Sequence, residues 1–433
     1  MTSNKSHVKT TLNLTEWSEK AVKDIAKIVG GGTPSTKISE YWNGNIPWIT
    51  PKDLSIQQHK YICKGLRNIT SDGLNKSSAK IIPSNSVILS TRAPVGYIAI
   101  SKRDITTNQG CHSLIPNNDI DTEFLYYLIL NNVEYLKSQS NGSTFGELSA
   151  KVLSELRFKL PTLDEQKAIA KILSDLDSKI ELNEKMNKTL EGIAQVIFKH
   201  WFIDFEFPNE EGKPYKSSGG KMVDSELGKI PKGWLVRRIK DFCVSVENGG
   251  TPKRMEKKYW NGNIDWFKTG ELKDRPLIKS EEKITEEGLK NSSCKLWKIN
   301  TILIALYASP TVGRIGILKE EGASNQACSG LVAREEIGYL FLFYTLLFKR
   351  NEFNRIAIGA AQQNISQEIV KETLCIQPSI NLLDNFTSIS SRLMEKQTML
   401  EKEQATLSSI RDNILPRLLS GKIKAPLEEK NDQ

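Results

Sequence analysis

Two stretches of the chain carry apolar residues at the seven-residue spacing of a long, packed helix. The first ladder consists of Ile169, Leu176, Asn183, Leu190 and Ile197, with Leu173, Ile180, Asn187 and Ala194 four residues after its first four members. The second ladder consists of Phe386, Leu393, Leu400, Leu407 and Ile414. This spacing is that of a helix seam, so each stretch is predicted to form one long amphipathic helix.

The remaining sequence shows a different pattern, in which short runs rich in Ile and Val alternate with Gly, Pro and Asn turns. Residues 86–90, 97–100 and 301–306 are such runs and are predicted to be strands. A helical stretch, 122–135 or 337–353, comes near the end of each globular part. The pattern predicts an α+β fold.

The chain repeats itself at long range. Gly31-Gly32-Thr33-Pro34 recurs 218 residues later (249 − 31) as Gly249-Gly250-Thr251-Pro252, and the segment from Tyr41 to Trp48 recurs at the same distance. Asn108-Gln109-x-Cys111 recurs as Asn325-Gln326-x-Cys328, and the second helix ladder keeps the register of the first. We therefore expect two tandem globular domains separated by two long antiparallel coiled-coil helices, with pseudo-twofold symmetry.

Local signals divide this repeat. Thr162-Leu163-Asp164-Glu165 predicts a capping box at the start of the first helix, and the Pro-, Gly- and Ser-rich segment between the halves predicts a linker or loop outside the core. The expected divisions are a flexible tail (1–15), domain 1 (16–160), a helix region (161–205), a connector (206–230), domain 2 (231–377), a second helix region (378–422) and a flexible tail (423–433).

The net charge of the chain indicates a chemical class of partner. Lysine and arginine number 60 against 51 acidic residues, which gives a net charge of +9. Such an excess favours an anionic partner, although it could also serve solubility alone. The mean hydropathy of −0.38 and the lack of a long apolar stretch favour a cytoplasmic protein without membrane contact, and six scattered cysteines indicate reduced structural thiols.

Motifs for catalysis are missing from the sequence. It contains no phosphate-binding Gly-x-x-x-x-Gly-Lys-Ser/Thr loop, no glycine-rich loop of the kind that binds S-adenosylmethionine, and only four histidines. The acidic pairs Asp175/Asp177 and Glu281/Glu282 are interpreted as solvated surface. We therefore expect a binding protein without catalytic, metal or cofactor sites; the alternative is a single-chain DNA methyltransferase or nuclease whose site is not recognised.

Several motifs, in this order, resemble the specificity subunit of type I restriction–modification systems. They are the two Gly-Gly-Thr-Pro and Tyr-Trp-Asn-Gly segments, Leu160-Pro161-x-Leu163-x-Glu165-Gln166, Trp201-Phe202-Ile203-Asp204-Phe205-Glu206, Leu227-Gly228-x-Ile230-Pro231 and the terminal Leu415-Pro416-Arg417-Leu418-Leu419. The second half departs from the pattern, because Asn381-Leu382-Leu383 replaces Asp-Glu-Gln and the Trp-Phe-Ile-Asp-Phe segment has no second copy.

The resemblance implies a function and a set of partners. In that family, two target-recognition domains each read one half of a bipartite double-stranded DNA site, and the helices set the spacing. Two copies of an adenine-N6 methyltransferase subunit bind the helices, and restriction subunits for translocation and cleavage join them. S-adenosylmethionine, ATP and Mg²⁺ would then be bound by the partner subunits.

Features that the two halves share are predicted to be architecture, and features that differ are candidates for DNA reading. On this basis the tryptophans and Gly-Gly-Thr-Pro turns are interpreted as scaffold, with a phosphate cradle as the alternative for the turns. Asn183 and Asn187 are candidates for fixing helix register or for binding a partner subunit. The candidate DNA-binding residues are Lys52, Arg92, Ser143, Thr144, Lys268, Lys273, Tyr307, Gln362 and Gln363.

The two ladders predict a ruler. Each ladder spans 28 residues (197 − 169), or about 40 Å of helix at ~1.5 Å per residue. Inserting seven residues after Asn183 and after Leu400 keeps the seam and lengthens both helices by ~10 Å. The preferred number of base pairs between half-sites should then increase by up to about three, with the half-site sequences unchanged. Methylation of sites that differ only in spacer length measures this; an unchanged optimum would refute the ruler.

Overall fold

The computed structural model describes residues 17–57, 59–92, 94–140, 146–307, 310–358 and 364–427. The expected N-terminal tail, residues 428–433 and the candidate readers Ser143, Thr144, Gln362 and Gln363 lie outside these ranges. The chain divides into two compact units: unit 1 is Met1–Glu181 with Thr406–Gln433, and unit 2 is Leu182–Ala405.

Unit 1 contains domain 1, which is built on three small sheets. Its strands are β1 Ser18–Ala21, β2 Ala26–Gly30, β3 Trp42–Ile49, β4 Tyr61–Ile62, β5 Arg67–Ile69, β6 Val87–Ser90, β7 Ile98–Ser101, β8 Thr106–Thr107, β9 Cys111–Pro116 and β10 Arg157–Leu160. Its helices are α1 Val22–Ile25, α2 Pro51–Ile56, α3 Ser71–Asn75, α4 Thr122–Asn131, α5 Val133–Ser138, α6 Ala150–Glu155 and the first part of α7 Leu163–Phe198. The strand orders are β2-β9-β6-β7-β4, β5-β3-β8 and β1-β10.

Unit 2 contains domain 2 and repeats this arrangement. Its strands are β11 Met222–Ser225, β12 Gly228–Pro231, β13 Leu235–Arg238, β14 Cys243–Asn248, β15 Trp260–Phe267, β16 Arg275–Leu277, β17 Glu282–Ile284, β18 Ile302–Ala305, β19 Ile315–Leu318, β20 Gly322–Ser324, β21 Cys328–Ala333 and β22 Leu374–Gln377. Its helices are α8 Glu286–Lys290, α9 Tyr339–Ile358, α10 Gln367–Glu372 and most of α11 Ile380–Leu418. The orders β14-β21-β18-β19-β16, β17-β15-β20 and β13-β22 match those of unit 1, so the predicted α+β tandem repeat is confirmed.

One local expectation is wrong, and another holds only for part of its segment. The predicted helix 122–135 is interrupted at Asn132, which separates α4 from α5. The Pro-, Gly- and Ser-rich part of the connector, 208–220, consists of turns outside the core as predicted, but the later part contributes to the antiparallel hairpin β11–β12, and Ile230 is 3% exposed within the apolar core of unit 2. At its start, the Phe207 ring stacks on Trp234 with centroids 5.1 Å apart. The apolar side chains of Phe207 and Ile230 thus pack both ends of the polar connector against domain 2.

The Gly-Gly-Thr-Pro segments are places of close backbone approach. A Cβ atom on Gly31 would lie 2.1 Å from the carbonyl oxygen of Asn108, and one on Gly32 would lie 2.3 Å from the amide nitrogen of Ala79. The indole nitrogen of Trp48 donates to the Gly32 carbonyl at 2.9 Å. In unit 2, Gly249 and Gly250 meet their neighbours in the same way. The glycines are therefore required by packing, as the scaffold interpretation predicts.

The long helices contribute to the core of each unit. In unit 1, Ile169 packs in one cluster with Leu418 and Leu419, and in unit 2, Phe198 packs with Phe386. Of the predicted seam, Ile169, Phe386 and Leu400 are fully buried, and the half-buried members are Leu176, Leu190, Ile197, Leu393, Leu407 and Ile414. No helix in the described parts of the chain is both long and apolar enough to cross a membrane.

The asparagines of the first ladder lie inside the helix pair of unit 2. Asn183 is fully buried and donates to Glu403 at 2.9 Å, while Asn187 donates to Glu401 at 2.9 Å. The Gln397 side chain reaches the Asn187 carbonyl oxygen at 3.4 Å. Later residues of α7 therefore meet earlier residues of α11, which makes the two helices antiparallel in this unit.

Candidate nucleic-acid interface

In domain 1, three loops that are far apart in sequence are bound together by backbone hydrogen bonds. The Thr91 amide, just after β6, donates to the Gly110 carbonyl at 2.8 Å, and the Leu148 amide donates to the Thr91 carbonyl at 3.0 Å. The Thr33 hydroxyl also bonds to the Gln109 side chain. The tip of hairpin β6–β7, the turn 108–111 and the segment 146–148 thus form one surface, which we call the recognition edge.

Domain 2 has the same arrangement with different side chains. The Leu306 amide, just after β18, donates to the Ala327 carbonyl at 2.8 Å, and the Ile365 amide donates to the Leu306 carbonyl at 3.0 Å. Thr251 bonds to Gln326 as Thr33 bonds to Gln109. The recognition edge of domain 2 therefore consists of the tip of β18–β19, the turn 325–328 and the segment 364–365.

Each hairpin tip is closed by a glycine in the left-handed region. Gly96 has φ +110° and Gly313 has φ +75°, values that other residues rarely adopt. In domain 1, the Ser90 hydroxyl donates to the Pro94 carbonyl at 2.8 Å. In domain 2, the Arg350 guanidinium donates to the Gly313 carbonyl at 2.9 Å and also binds Asp274. The hydrogen bonds to the described residues of the two tips therefore differ between the domains.

Arg92 lies at the recognition edge of domain 1 with an acidic partner. Its guanidinium is 2.8 Å from the Glu147 carboxylate, and both side chains are about half exposed (49% and 44%). The two residues also form an antiparallel backbone bridge. Glu147 thus orients Arg92 and competes with any ligand of the guanidinium.

Sequence reasoning missed both Glu147 and His112. His112 pairs with Gly30 and Leu89 in the sheet, and burial lowers the pKa of its imidazole. Neither ring nitrogen has a hydrogen-bond partner within the described ranges. A neutral imidazole beside Arg92 and Glu147 offers one donor and one acceptor. No sequence spacing connects these three residues, since the sheet alone brings them together.

The candidate lysines have different surroundings. Lys52 is exposed on α2, whose start adjoins the recognition edge because the Asn108 amide donates to the Ile49 carbonyl at 2.9 Å. Lys273 is also exposed. Lys268, in contrast, donates to Glu282 at 2.9 Å and to Glu281 at 3.0 Å, which raises the pKa of its ammonium group. It occupies the position of Thr50 in the repeat, not that of Lys52.

The second recognition edge contains Tyr307, whose side chain is 38% exposed directly after the buried strand β18. Its carbonyl oxygen accepts a hydrogen bond from the Thr311 hydroxyl at 2.9 Å. The other candidate readers lie outside the described residues, but the segments that follow them, 146–148 and 364–365, belong to the two edges. In each domain, the segment that follows the candidate readers thus belongs to the recognition edge of that same domain.

The shared tryptophans are part of the scaffold. Trp42 and Trp48 pack edge to face with centroids 5.0 Å apart, and Trp260 and Trp266 do so at 5.1 Å. Their indole nitrogens donate to backbone carbonyls of the Gly-Gly-Thr-Pro regions. Trp42, Trp48 and Trp266 are buried, so these three rings have no free face on which a base could stack.

Among the described residues, no group of three or more His, Cys, Asp or Glu side chains could bind a metal ion. The free cysteines Cys111, Cys243, Cys328 and Cys375 are buried. Burial raises the pKa of the Cys243 and Cys375 thiols to about 12, so both remain protonated at neutral pH.

Comparison with known proteins defines the class of this fold. Residues 15–192 and 231–381 match the model of the type I restriction modification DNA specificity domain. The fold resembles the crystal structure of the type I restriction–modification S subunit from M. genitalium, with a TM-score of 0.55, 16% identity, and 94% of this chain and 97% of that chain covered.

Full-length relatives give the family. The chain is 37% identical over 416 residues to the type I restriction enzyme MjaIX specificity subunit of Methanocaldococcus jannaschii, with 94% of each chain covered. It is 23% identical over 478 residues to the HindI specificity subunit of Haemophilus influenzae, with 95% of this chain and all of that one covered. The chain therefore belongs to the specificity subunits of type I restriction–modification systems, as its motifs predict.

The ion pairs of Lys268 predict unequal roles for the candidate lysines. Lys52→Ala and Lys273→Ala should weaken binding to all DNA sequences alike and reduce the slope of log affinity against log salt by about one each. Lys268→Ala should change the slope less, because its ammonium already binds two carboxylates. Titrations of the assembled complex at several salt concentrations measure the slopes. An equal loss for Lys268→Ala and Lys52→Ala would contradict this.

Arg92 should affect sequence preference rather than general affinity. Arg92→Ala should relax the preference at one base pair of one half-site, at a cost of about 1–3 kcal/mol, because a guanidinium can bind guanine with two hydrogen bonds. Lys52→Ala is the control: it keeps both Arg92 and Glu147, weakens binding to all sequences alike and should retain the preference. Competition binding with single-base variants of the site is the measurement. An unchanged preference in Arg92→Ala would refute the assignment.

Proposed function

We propose that this chain is the sequence-reading, non-catalytic component of a type I restriction–modification complex. Domain 1 reads one half of a bipartite double-stranded DNA site through its recognition edge, and domain 2 reads the other half. The supporting observation is that equivalent backbone hydrogen bonds, made by the buried Thr91 and Leu306, hold the exposed Arg92 and Glu147 in one domain and Tyr307 in the other. A constant frame with variable side chains suits two domains that read different sequences.

The proposed partners follow from the family and from the long helices. Two methyltransferase subunits that modify adenine N6 would bind this chain, and restriction subunits would join the complex. S-adenosylmethionine, ATP and Mg²⁺ would be bound by those partners, in the cytoplasm. Relatives over the full chain length are named specificity subunits of restriction enzymes, which supports this role over that of a single-chain methyltransferase or nuclease.

Electrostatics supports binding to the phosphate backbone. The net charge of +9 attracts DNA, and the exposed Lys52 lies beside the recognition edge of its own domain. Phosphate contacts position a protein on the duplex, whereas contacts to base edges give the sequence preference. The lysines and the loop residues therefore have separate tasks in this proposal.

The separate recognition edges predict that specificity is modular. Replacing residues 20–160 with the same region of another specificity subunit should change only one half of the methylated sequence. The edges are built within single domains, so the other half-site should be unaffected. Methylation by the complex with its methyltransferase subunits, on a library of DNA sites, measures the outcome.

The reciprocal exchange of residues 231–377 serves as the control and should change only the other half. If either exchange altered both halves, or made methylation unspecific, the assignment of one half-site to each domain would fail.

A further inference from the structure

A partly buried polar network joins domain 1 to the long helices inside unit 1. The Glu123 carboxylate on α4 accepts hydrogen bonds from Lys60 at 2.8 Å, from the Tyr61 hydroxyl and from the Ser174 hydroxyl on α7. The Lys60 side chain is only 5% exposed and also donates to Ser174 at 2.7 Å. Lys60 and Glu123, the two charged residues of this branch, therefore each have more than one hydrogen-bond partner.

A second branch begins one turn later on α4. The Tyr127 hydroxyl donates to Asp177 of α7 at 2.5 Å, and Asp177 also accepts from the Arg411 guanidinium of α11 at 2.8 Å. Asp177 is 14% exposed, so its interpretation from the sequence as solvated surface is wrong. Through this carboxylate a single side chain of domain 1 is connected to both long helices.

Hydrogen bonds favour the charged forms of Glu123 and Arg411. Burial alone would raise the pKa of Glu123, but the hydrogen bonds from Lys60, Ser174 and Tyr61 bring the pKa below its usual value. Burial disfavours the charge of Arg411, yet the bonds to Asp177 raise the pKa of its guanidinium. The network is therefore held together by charged hydrogen bonds, whose strength depends on distance and direction.

Unit 2 shows that the fold does not need this network. At the positions 217 residues later (340 − 123), Leu340 replaces Glu123 and Met394 replaces Asp177. The tyrosine is kept, since Tyr344 corresponds to Tyr127. Tyr344 packs between Phe198 and Phe386, with ring centroids 5.8 and 5.9 Å away. No hydrogen bond from its hydroxyl is found within the described parts of the chain. The equivalent helix contact of unit 2 is thus mainly aromatic.

This difference indicates a role in orientation. Replacing a buried ion pair by apolar residues is often neutral or even stabilising, so stability alone does not explain the network. Apolar contacts are non-directional and allow a packed domain to rotate slightly, whereas a set of hydrogen-bonded charges favours one arrangement. The network is suited to fix how α4, and with it domain 1, sits on α7 and α11.

We propose that Glu123, Tyr127, Asp177 and Arg411 are positioning residues that narrow the range of spacer lengths the subunit accepts between its two half-sites. The inference rests on the proposed bipartite reading of DNA. The network lies on the helix-facing side of α4 and includes none of the recognition-edge residues, so it acts on the placement of domain 1 and leaves base preference unchanged.

The test compares two equivalent tyrosines. Tyr127→Phe removes the bond to Asp177, and Tyr344→Phe makes the same change in unit 2, where the hydroxyl has no such partner. Methylation rates of the assembled complex are measured on DNA sites whose spacers differ by single base pairs. In Tyr127→Phe, the methylation rate on sites whose spacer is one base pair longer or shorter than the optimum should rise about tenfold relative to the rate at the optimum. This is the expected effect of one lost charged hydrogen bond. Tyr344→Phe should match the wild type.

A second variant removes the other hydrogen-bond donor to the Asp177 carboxylate, the guanidinium of Arg411 on α11. Arg411→Gln should broaden the spacer profile as Tyr127→Phe does, and thermal unfolding of each variant establishes that it is folded. Half-site sequences, determined in the same assay, should stay unchanged in all variants.

The possible outcomes separate the two proposals. A wild-type profile without a spacer optimum would overturn bipartite reading itself. A normal wild-type optimum together with an unchanged profile in folded Tyr127→Phe or Arg411→Gln would overturn the positioning role. Equal broadening in Tyr344→Phe would also overturn it, because the effect would then be general loosening of the domains.

Discussion

The backbone of Gly31 passes so close to the Asn108 carbonyl that any side chain there would collide with it. A Cβ atom would lie 2.1 Å from that oxygen. This contact seats the end of β2 against the turn 108–111, and the Gly110 carbonyl of that turn in turn binds the Thr91 amide. The recognition edge of domain 1 thus depends on a contact that only glycine permits. Gly249 makes the equivalent contact in domain 2, where a Cβ atom would lie 2.5 Å from the Asn325 carbonyl oxygen.

Backbone hydrogen bonds make this frame independent of the side chains that it presents. The bonds of Thr91 with Gly110 and Leu148 use only main-chain atoms, and so do those of Leu306 with Ala327 and Ile365. Substitutions in the loops can therefore change the chemistry of the edge without moving it. For a protein that must recognise two sequences with two copies of one fold, this separation of frame and side chain is a physical advantage.

The long helices and the two domains could be predicted from patterns in the sequence, whereas the contacts between side chains at the candidate site could not. Heptad spacing and the long repeat predict α7, α11 and the two domains, since both are properties of the sequence itself. The burial of Ile230 was missed because its short apolar run lies in a polar connector. The pairing of Arg92 with Glu147, 55 residues apart (147 − 92), depends on the fold, as do the two carboxylates that bind Lys268.

One departure of the second half from the motifs of the first exchanges a polar contact for an apolar one. Gln166 is buried in unit 1, where its side chain accepts from the Asp121 amide and donates to the Pro161 carbonyl; Leu383, at the equivalent position, is equally buried in the apolar core of unit 2. Phe202 packs in that core, whereas Leu419, at the equivalent position of the second helix, packs in the core of unit 1. Lost motif residues therefore mark a different chemistry of helix packing on an unchanged fold.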